Sequence, residues 1–400
     1  MLTKPRLAIV LSRFPYPLEK GDKLRAYHQI KELSSEFDIS LLCLHEESIS
    51  DADREEVASL VSAVSTYRIA KWTLPFRLLY YSLVKSWPAQ VTYFYSPFIW
   101  KKIRRQLDAI NPDVIYNQLP RTIPYTADRS EPKILDLMDA FSYGMSKRSM
   151  NSSGLKKVLY RWESRAIRAY ESKVVPNYHG VTMISAQDKV RSPHLKTDTI
   201  TTVANGVDTT HLTCNLQART CDIVFVGNMG YQPNIDAAIY LVNQILPAYQ
   251  SVYGETLTVA IAGARPTKEV LNLQSAQVNI SGWVEDINDA YNMGQIFVAP
   301  IFYGIGQQNK LMEAIACELP CVVSPEVAAP FNAKHGKELL IAQSVEDFIS
   351  AIQDIKLNRI DVSLMTETAK KRINQVHQWK QQTQPLIKLL KDQVRIKSTS

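Results

Sequence analysis

Four hundred residues exceed what one ordinary core accommodates, so two domains of comparable size are expected. At 46% hydrophobic and 21% charged, the composition is that of a globular chain and excludes extended disorder. A formal charge of +7 suits an anionic lipid surface or phosphate-bearing substrates, but it is too mild for the dense basic stripes of nucleic-acid binders.

In chain order, 7–11 (LAIVL) reads as a strand, 23–35 as a helix, 38–44 (DISLLCL) as a strand and 51–64 as a helix. Further strands are expected at 113–119, 133–139 and 180–185. Continuous apolar strands separated by helices mark a parallel sheet covered on both faces. After the Asn-Gly turn in VANGVD (203–208) the alternation restarts, with strands at 222–227, 256–263, 278–284, 295–300 and 320–325. Helices are expected at 344–355, 363–376 and 379–394, with Pro385 kinking or breaking the last. The expected fold is α/β, two doubly wound, Rossmann-like domains facing across a cleft: 1–205, 206–376, and a final helix within 377–400 returning to the first domain. Five cysteines, Cys43, Cys214, Cys221, Cys317 and Cys321, without CxxC spacing, read as reduced core thiols of a cytoplasmic chain, and neither a signal peptide nor a spanning segment is apparent.

The stretch GIGQQNKLMEAIACELPCVV (304–323) is chemically informative. A helix starting near Gln308 places Leu311, Met312, Ile315, Ala316 and Leu319 on one face and leaves Lys310 and Glu313 a turn apart on another. No Ser, Thr or Asp stands ready to cap its first amides, so a phosphate or a polar sugar could cap them instead. A plain reading makes Lys310 and Glu313 a solvated ion pair.

These segments resemble family-4-type retaining glycosyltransferases of the GT-B fold, which transfer a sugar from a nucleotide-sugar donor. The resemblance rests on FVGNMGYQPNIDAA (225–238), IAGARPTKEV (261–270), ISGWVEDINDAY (280–291) and VAPIFYGIGQQNKLMEAIACELPCVVSP (298–325), with VANGVD matching the interdomain linker. The opening RFPYPLEKGDKLRAYHQIKELS (13–34) is similar to exopolysaccharide-associated sugar transferases. The resemblance implies that Glu313 receives the donor ribose hydroxyls, that Ile305, Gly306, Gln307 and Asn309 approach the donor sugar or its phosphate, and that Trp283 and Val284 edge the base. Gly227 and Asn228 border the same donor site, Lys310 and Arg265 are the cations for the pyrophosphate, and Gly21 lets a first-domain loop close over it. The implied acceptor is a polysaccharide or lipid-linked saccharide. No metal and no cofactor are expected, the nucleotide sugar being a substrate.

The sequence departs from the pattern in three places. Ile305 stands where many relatives carry an acid eight residues before Glu313, Asn228-Met229-Gly230 replaces an Arg and a Lys, and Gln118 replaces a histidine. A nucleotide-sugar epimerase on the same architecture and an inactive nucleotide-sugar-binding partner are the alternatives.

Asp136 and Asp139 fall on opposite faces of a strand end, leaving Asp139 as a candidate contact for the acceptor or a cap for the next turn. The DAD at 51–53 reads as a helix cap rather than a metal motif, and the seven histidines lack metal-ligand spacing. Aromatic and basic residues interleave over 71–105, ending in Lys101, Lys102, Arg104 and Arg105, which suits either peripheral contact with anionic membrane or core packing.

Overall fold

The computed structural model describes residues 4–399 except 211, 214, 216–218 and 304–306; the expectations for Ile305, Gly306 and Cys214 therefore lie outside the described residues. The chain forms two compact units, residues 1–205 with 382–400, and 206–381.

The first unit is built on seven parallel strands: β1 (Arg6–Leu11), β2 (Asp38–His45), β3 (Ala63–Arg68), β4 (Val114–Gln118), β5 (Lys133–Met138), β6 (Gly180–Met183) and β7 (Ile200–Thr202). Their spatial order is β3-β2-β1-β4-β5-β6-β7. Alternation along β1 sends Leu7, Ile9 and Leu11 into one core and Ala8 and Val10 into another on the opposite face. With both faces covered, the strand reads as an unbroken apolar run. The helix Trp379–Thr399 adds Leu386, Ile387 and Leu390 to the first of these cores.

The second unit holds six parallel strands: β8 (Cys221–Val226), β9 (Val259–Ala262), β10 (Val278–Gly282), β11 (Gly294–Ala299), β12 (Cys321–Val323) and β13 (Leu340–Ile341), in the order β10-β9-β8-β11-β12-β13. In each unit the order reverses between two central strands, β1 and β4 in the first and β8 and β11 in the second. Loops leaving the carboxyl ends of such a pair run in opposite directions and open a crevice, the position where doubly wound sheets bind ligands.

Three expectations are revised. The helix predicted over 51–64 ends at Ala58, and Ala63–Arg68 is β3, an edge strand whose half-exposed residues give too weak an apolar pattern to read. That helix is capped not by the DAD but by the Ser50 hydroxyl, which accepts from the Asp53 amide, so Asp51 and Asp53 are first-turn acids. The final helix runs unbroken through Pro385, which lies at an exposed position, as does Gln381, the residue whose carbonyl loses its amide partner.

One buried pair ties the first unit together. Arg25, on the helix Gly21–Leu33, is fully buried and grips Asp136 of β5 in two hydrogen bonds, Nε to Oδ2 at 2.7 Å and Nη2 to Oδ1 at 3.1 Å. Its Nη1 donates to Asn205 Oδ1 at 2.8 Å, and the Thr182 hydroxyl donates to Asp136 Oδ1 at 2.7 Å. Removing one partner leaves an uncompensated charge in the interior. Asp136→Ala should therefore cost about 3–5 kcal/mol of stability in denaturant unfolding; a loss below about 1 kcal/mol would mean that the charge finds water.

Candidate functional site

In the second unit the predicted residues gather at the carboxyl ends of β8, β9 and β10 and on the helix Asn309–Ala316 that follows β11. The apolar face forms as expected, with Leu311, Met312, Ala314, Ile315 and Ala316 buried. Gln308 stands at the N-cap without a side-chain cap hydrogen bond. Asn309 opens the helix half-buried, and Gln307 turns back onto it, its Nε2 lying 3.3 Å from Met312 Sδ.

Lys310 and Glu313 are held by different partners rather than by each other. Lys310 Nζ donates to Asn234 Oδ1 at 2.5 Å and lies 5.3 Å from the centroid of the Phe225 ring. Burial brings the Lys310 ammonium down to about 7, against the opposing pull of Glu313. Glu313 Oε2 accepts from the Tyr291 hydroxyl at 2.6 Å. Burial raises the Glu313 carboxyl, while the Tyr291 hydrogen bond and the Lys310 charge hold it down. The result is a cation and an anion one turn apart, both poorly hydrated. A cation that is half discharged near neutral pH gains most from an incoming anion, and a carboxylate with remaining acceptor capacity suits hydroxyl donors.

Two glycines let the strand ends approach this pair. A Cβ on Gly227 would sit 3.0 Å from Lys310 Nζ and 2.8 Å from Asn234 Nδ2. A Cβ on Gly263, whose φ is +140°, would meet the Gly227 carbonyl oxygen at 1.8 Å. Asn228 closes the turn after β8, its Oδ1 accepting from the Gly230 amide at 2.9 Å and its carbonyl from Asn234 Nδ2 at 2.9 Å. Arg265 is exposed on the loop after β9 with φ +58°, and Trp283 is exposed after β10 while Val284 packs half-buried on the core. Sequence reading missed Asn234 and Tyr291. Both stand in stretches that carry the resemblance, but each acts across elements, so no local spacing points to them.

In the first unit, Gln118 ends β4 and its Nε2 donates to the Asp22 carbonyl at 3.1 Å, which joins it to the helix opened by Gly21. Asp22 forms an ion pair with Arg13 and lies 3.8 Å from Arg121 Nη1. Burial, reinforced by Arg13, lowers Arg121 to about 10. Asp139 follows β5, and its carboxyl is raised well above the usual range by burial and by the neighbouring Asp188. The arginines at 13 and 121 had no signal in the sequence, since they meet only where the loops after β1 and β4 converge.

Residues 220–358 match the family described as Glycosyl transferases group 1. Across nearly their whole lengths, the fold is similar to solved glycosyltransferase structures. Sucrose-phosphate synthase from Thermosynechococcus elongatus superposes with a TM-score of 0.70 at 12% identity, covering 99% of this chain and 100% of that one. HepE of Anabaena, solved with UDP and glucose, gives 0.66 at 12% identity, covering 96% and 99%. TarM of S. aureus, in complex with fondaparinux, α-GlcNAc-glycerol and UDP, gives 0.67 at 11% identity with the same coverage. These findings support a glycosyltransferase of the GT-B fold. An uncharacterised 44.6 kDa protein in the cps region of Klebsiella pneumoniae is 21% identical over 377 residues, 91% of this chain and 93% of that protein.

Gly263 in the second unit and Gly21 in the first should respond differently to a methyl group. Gly263→Ala forces backbone against backbone and should cost at least about 2 kcal/mol, at the upper end of overpacking. Gly21→Ala meets no atom within 4 Å and should leave the melting temperature unchanged or slightly raised. Paired thermal melts check both; equal effects would refute the packing argument.

Proposed function

We propose that this protein is a retaining, metal-independent hexosyltransferase of family-4 type, moving a sugar from a nucleotide-sugar donor to a polysaccharide or lipid-linked saccharide. The observation that carries the reading is the separately held pair Lys310 and Glu313 at the β8–β11 reversal. Glu313 takes the ribose diol, two hydroxyl donors on one carboxylate. Lys310, with Arg265 on the neighbouring loop, receives the diphosphate. In the transfer the bond from the anomeric carbon to the diphosphate oxygen breaks, and its electron pair leaves with the diphosphate. Protein cations stabilise that charge, a task done electrostatically by fixed groups. The acceptor hydroxyl bonds to the same face of the anomeric carbon and releases its proton to the departing diphosphate. Gln118 and Asp139 line the acceptor side in this reading. The binding of UDP in HepE and TarM favours a uridine nucleotide as the first donor to try, and the cps location of the Klebsiella relative favours a surface polysaccharide as product.

The deciding experiment is transfer assayed with a panel of nucleotide sugars, the product's anomeric configuration being read by NMR. Retention of the donor's configuration is expected, and EDTA should leave the rate intact. Inversion, or activity that collapses on chelation and returns with magnesium or manganese, would overturn the reading.

A pH dependence follows from Lys310. With its pKa near 7 when unliganded, the side chain is mostly neutral at pH 8.5, whereas a diphosphate favours the ammonium and raises that pKa. Binding therefore takes up a proton. Affinity for nucleoside diphosphate should be full below pH 7 and fall by up to about tenfold per unit above it. Lys310→Arg, charged throughout, should flatten the profile; a flat wild-type profile would show that Lys310 does not meet the phosphates.

A further inference from the structure

The helix Gly154–Val174 in the first unit begins with two turns that bury nothing: its first buried residue is Glu163. Those turns nonetheless carry Leu155, Val158, Leu159 and Trp162, 74%, 63%, 53% and 38% exposed. The spacing i, i+3, i+4, i+7 places all four on one stripe. Basic residues flank the stripe: Lys156 on one side and Arg161 and Arg165 on the other are exposed, while the helix's two acids, Glu163 and Glu171, are both buried. Glu163 accepts from the Ala89 and Gln90 amides, and Glu171 pairs with His194. The exposed surface of these turns is thus apolar and cationic, without a balancing carboxylate of its own.

A second exposed apolar set lies on a neighbouring element. Trp72, Phe76, Leu79 and Val84 are exposed on the helical run 71–84. That run is tied to the long helix through Trp87, whose ring stacks on Tyr81 at 5.0 Å and meets Tyr170 at 6.0 Å. The aromatic segment expected to touch membrane is therefore divided. Trp87 packs inward and Trp100 is partly buried, with Arg104 over its ring and paired with Asp128, whereas Phe98 and the 72–84 set face outward. Among the described residues no helix is long and apolar enough to cross a membrane.

We propose that residues 155–165 form an interfacial docking helix for an anionic lipid bilayer, with Leu155, Val158, Leu159 and Trp162 entering the headgroup boundary and Lys156, Arg161 and Arg165 meeting lipid phosphates. Charge selects this occupant. A cationic rim around an apolar stripe matches acidic headgroups over acyl chains, and long basic side chains reach the phosphates while their stems cover apolar surface. A second copy of the same face would bring like charges together.

The test is cosedimentation of the full chain with phosphatidylcholine vesicles, with and without phosphatidylglycerol. Wild type should bind the acidic vesicles at least tenfold more tightly, and high salt should remove most of the difference. Leu155→Glu with Leu159→Glu should weaken binding tenfold or more. Arg161→Glu with Arg165→Glu should do the same, while neutralising Lys101, Lys102, Arg104 and Arg105 should have the smaller effect. All four helix positions are solvent-facing, so circular dichroism and melting temperature should match wild type. Failure of wild type to bind acidic vesicles at low salt would overturn the proposal, as would undiminished binding by both helix variants. So would a concentration-dependent dimer that Leu155→Glu with Leu159→Glu dissolves, since the face then belongs to a second copy.

Discussion

Everything inferred about chemistry depends on Lys310 and Glu313 being partly stripped of water without neutralising each other. Two opposite charges one helical turn apart would ordinarily pair, and an exposed pair of that kind is worth little. Here Asn234 takes the ammonium and Tyr291 the carboxylate. Each charge is thereby fixed in place by a neutral partner. That keeps it oriented while leaving its electrostatic demand only partly met, the condition in which a polar ligand is attracted most strongly.

The sheet supplies the geometry for that arrangement. Reversal of strand order between β8 and β11 brings the loop at Gly227 beside the helix after β11. Gly263 lets the next loop lie directly on the Gly227 carbonyl, so the backbone, with no side chains between, forms the wall next to Lys310. A β-carbon at either glycine would fill the space that the lysine and asparagine occupy or push the two loops apart. The first unit repeats the topology at β1 and β4 with different chemistry, two arginines around Asp22 beside a buried carboxyl at Asp139.

Much of this was legible in the sequence because parallel strands buried on both faces announce themselves as apolar runs. β1, β2, β4, β8 and β11 fall within a residue or two of their expected bounds. The helix at Asn309–Ala316 was legible from its period, and Lys310 and Glu313 from their place on it. Three edge strands were not: β3, half-exposed along its length, and the short β7 and β13 lack the burial that writes a pattern. Nor were the partners. Asn234 lies 76 residues from Lys310 and Tyr291 lies 22 from Glu313, separations that only the folded sheet closes. The apolar stripe at 155–162 escaped for a different reason: a helix is expected to bury its apolar face, and only the structure shows that Leu155, Val158 and Leu159 remain outside.

The central claim is that Glu313 holds the ribose diol of a nucleotide. A thermodynamic cycle tests it most directly, by measuring Kd of wild type and Glu313→Gln for the tightest-binding nucleoside diphosphate and for its 2′,3′-dideoxy analogue. Hydrogen bonds to a charged group are worth about 1.5–3 kcal/mol, so removing the diol should weaken wild-type binding by roughly ten- to a hundredfold and Glu313→Gln binding far less. An equal loss in both proteins would show that the diol is bound elsewhere.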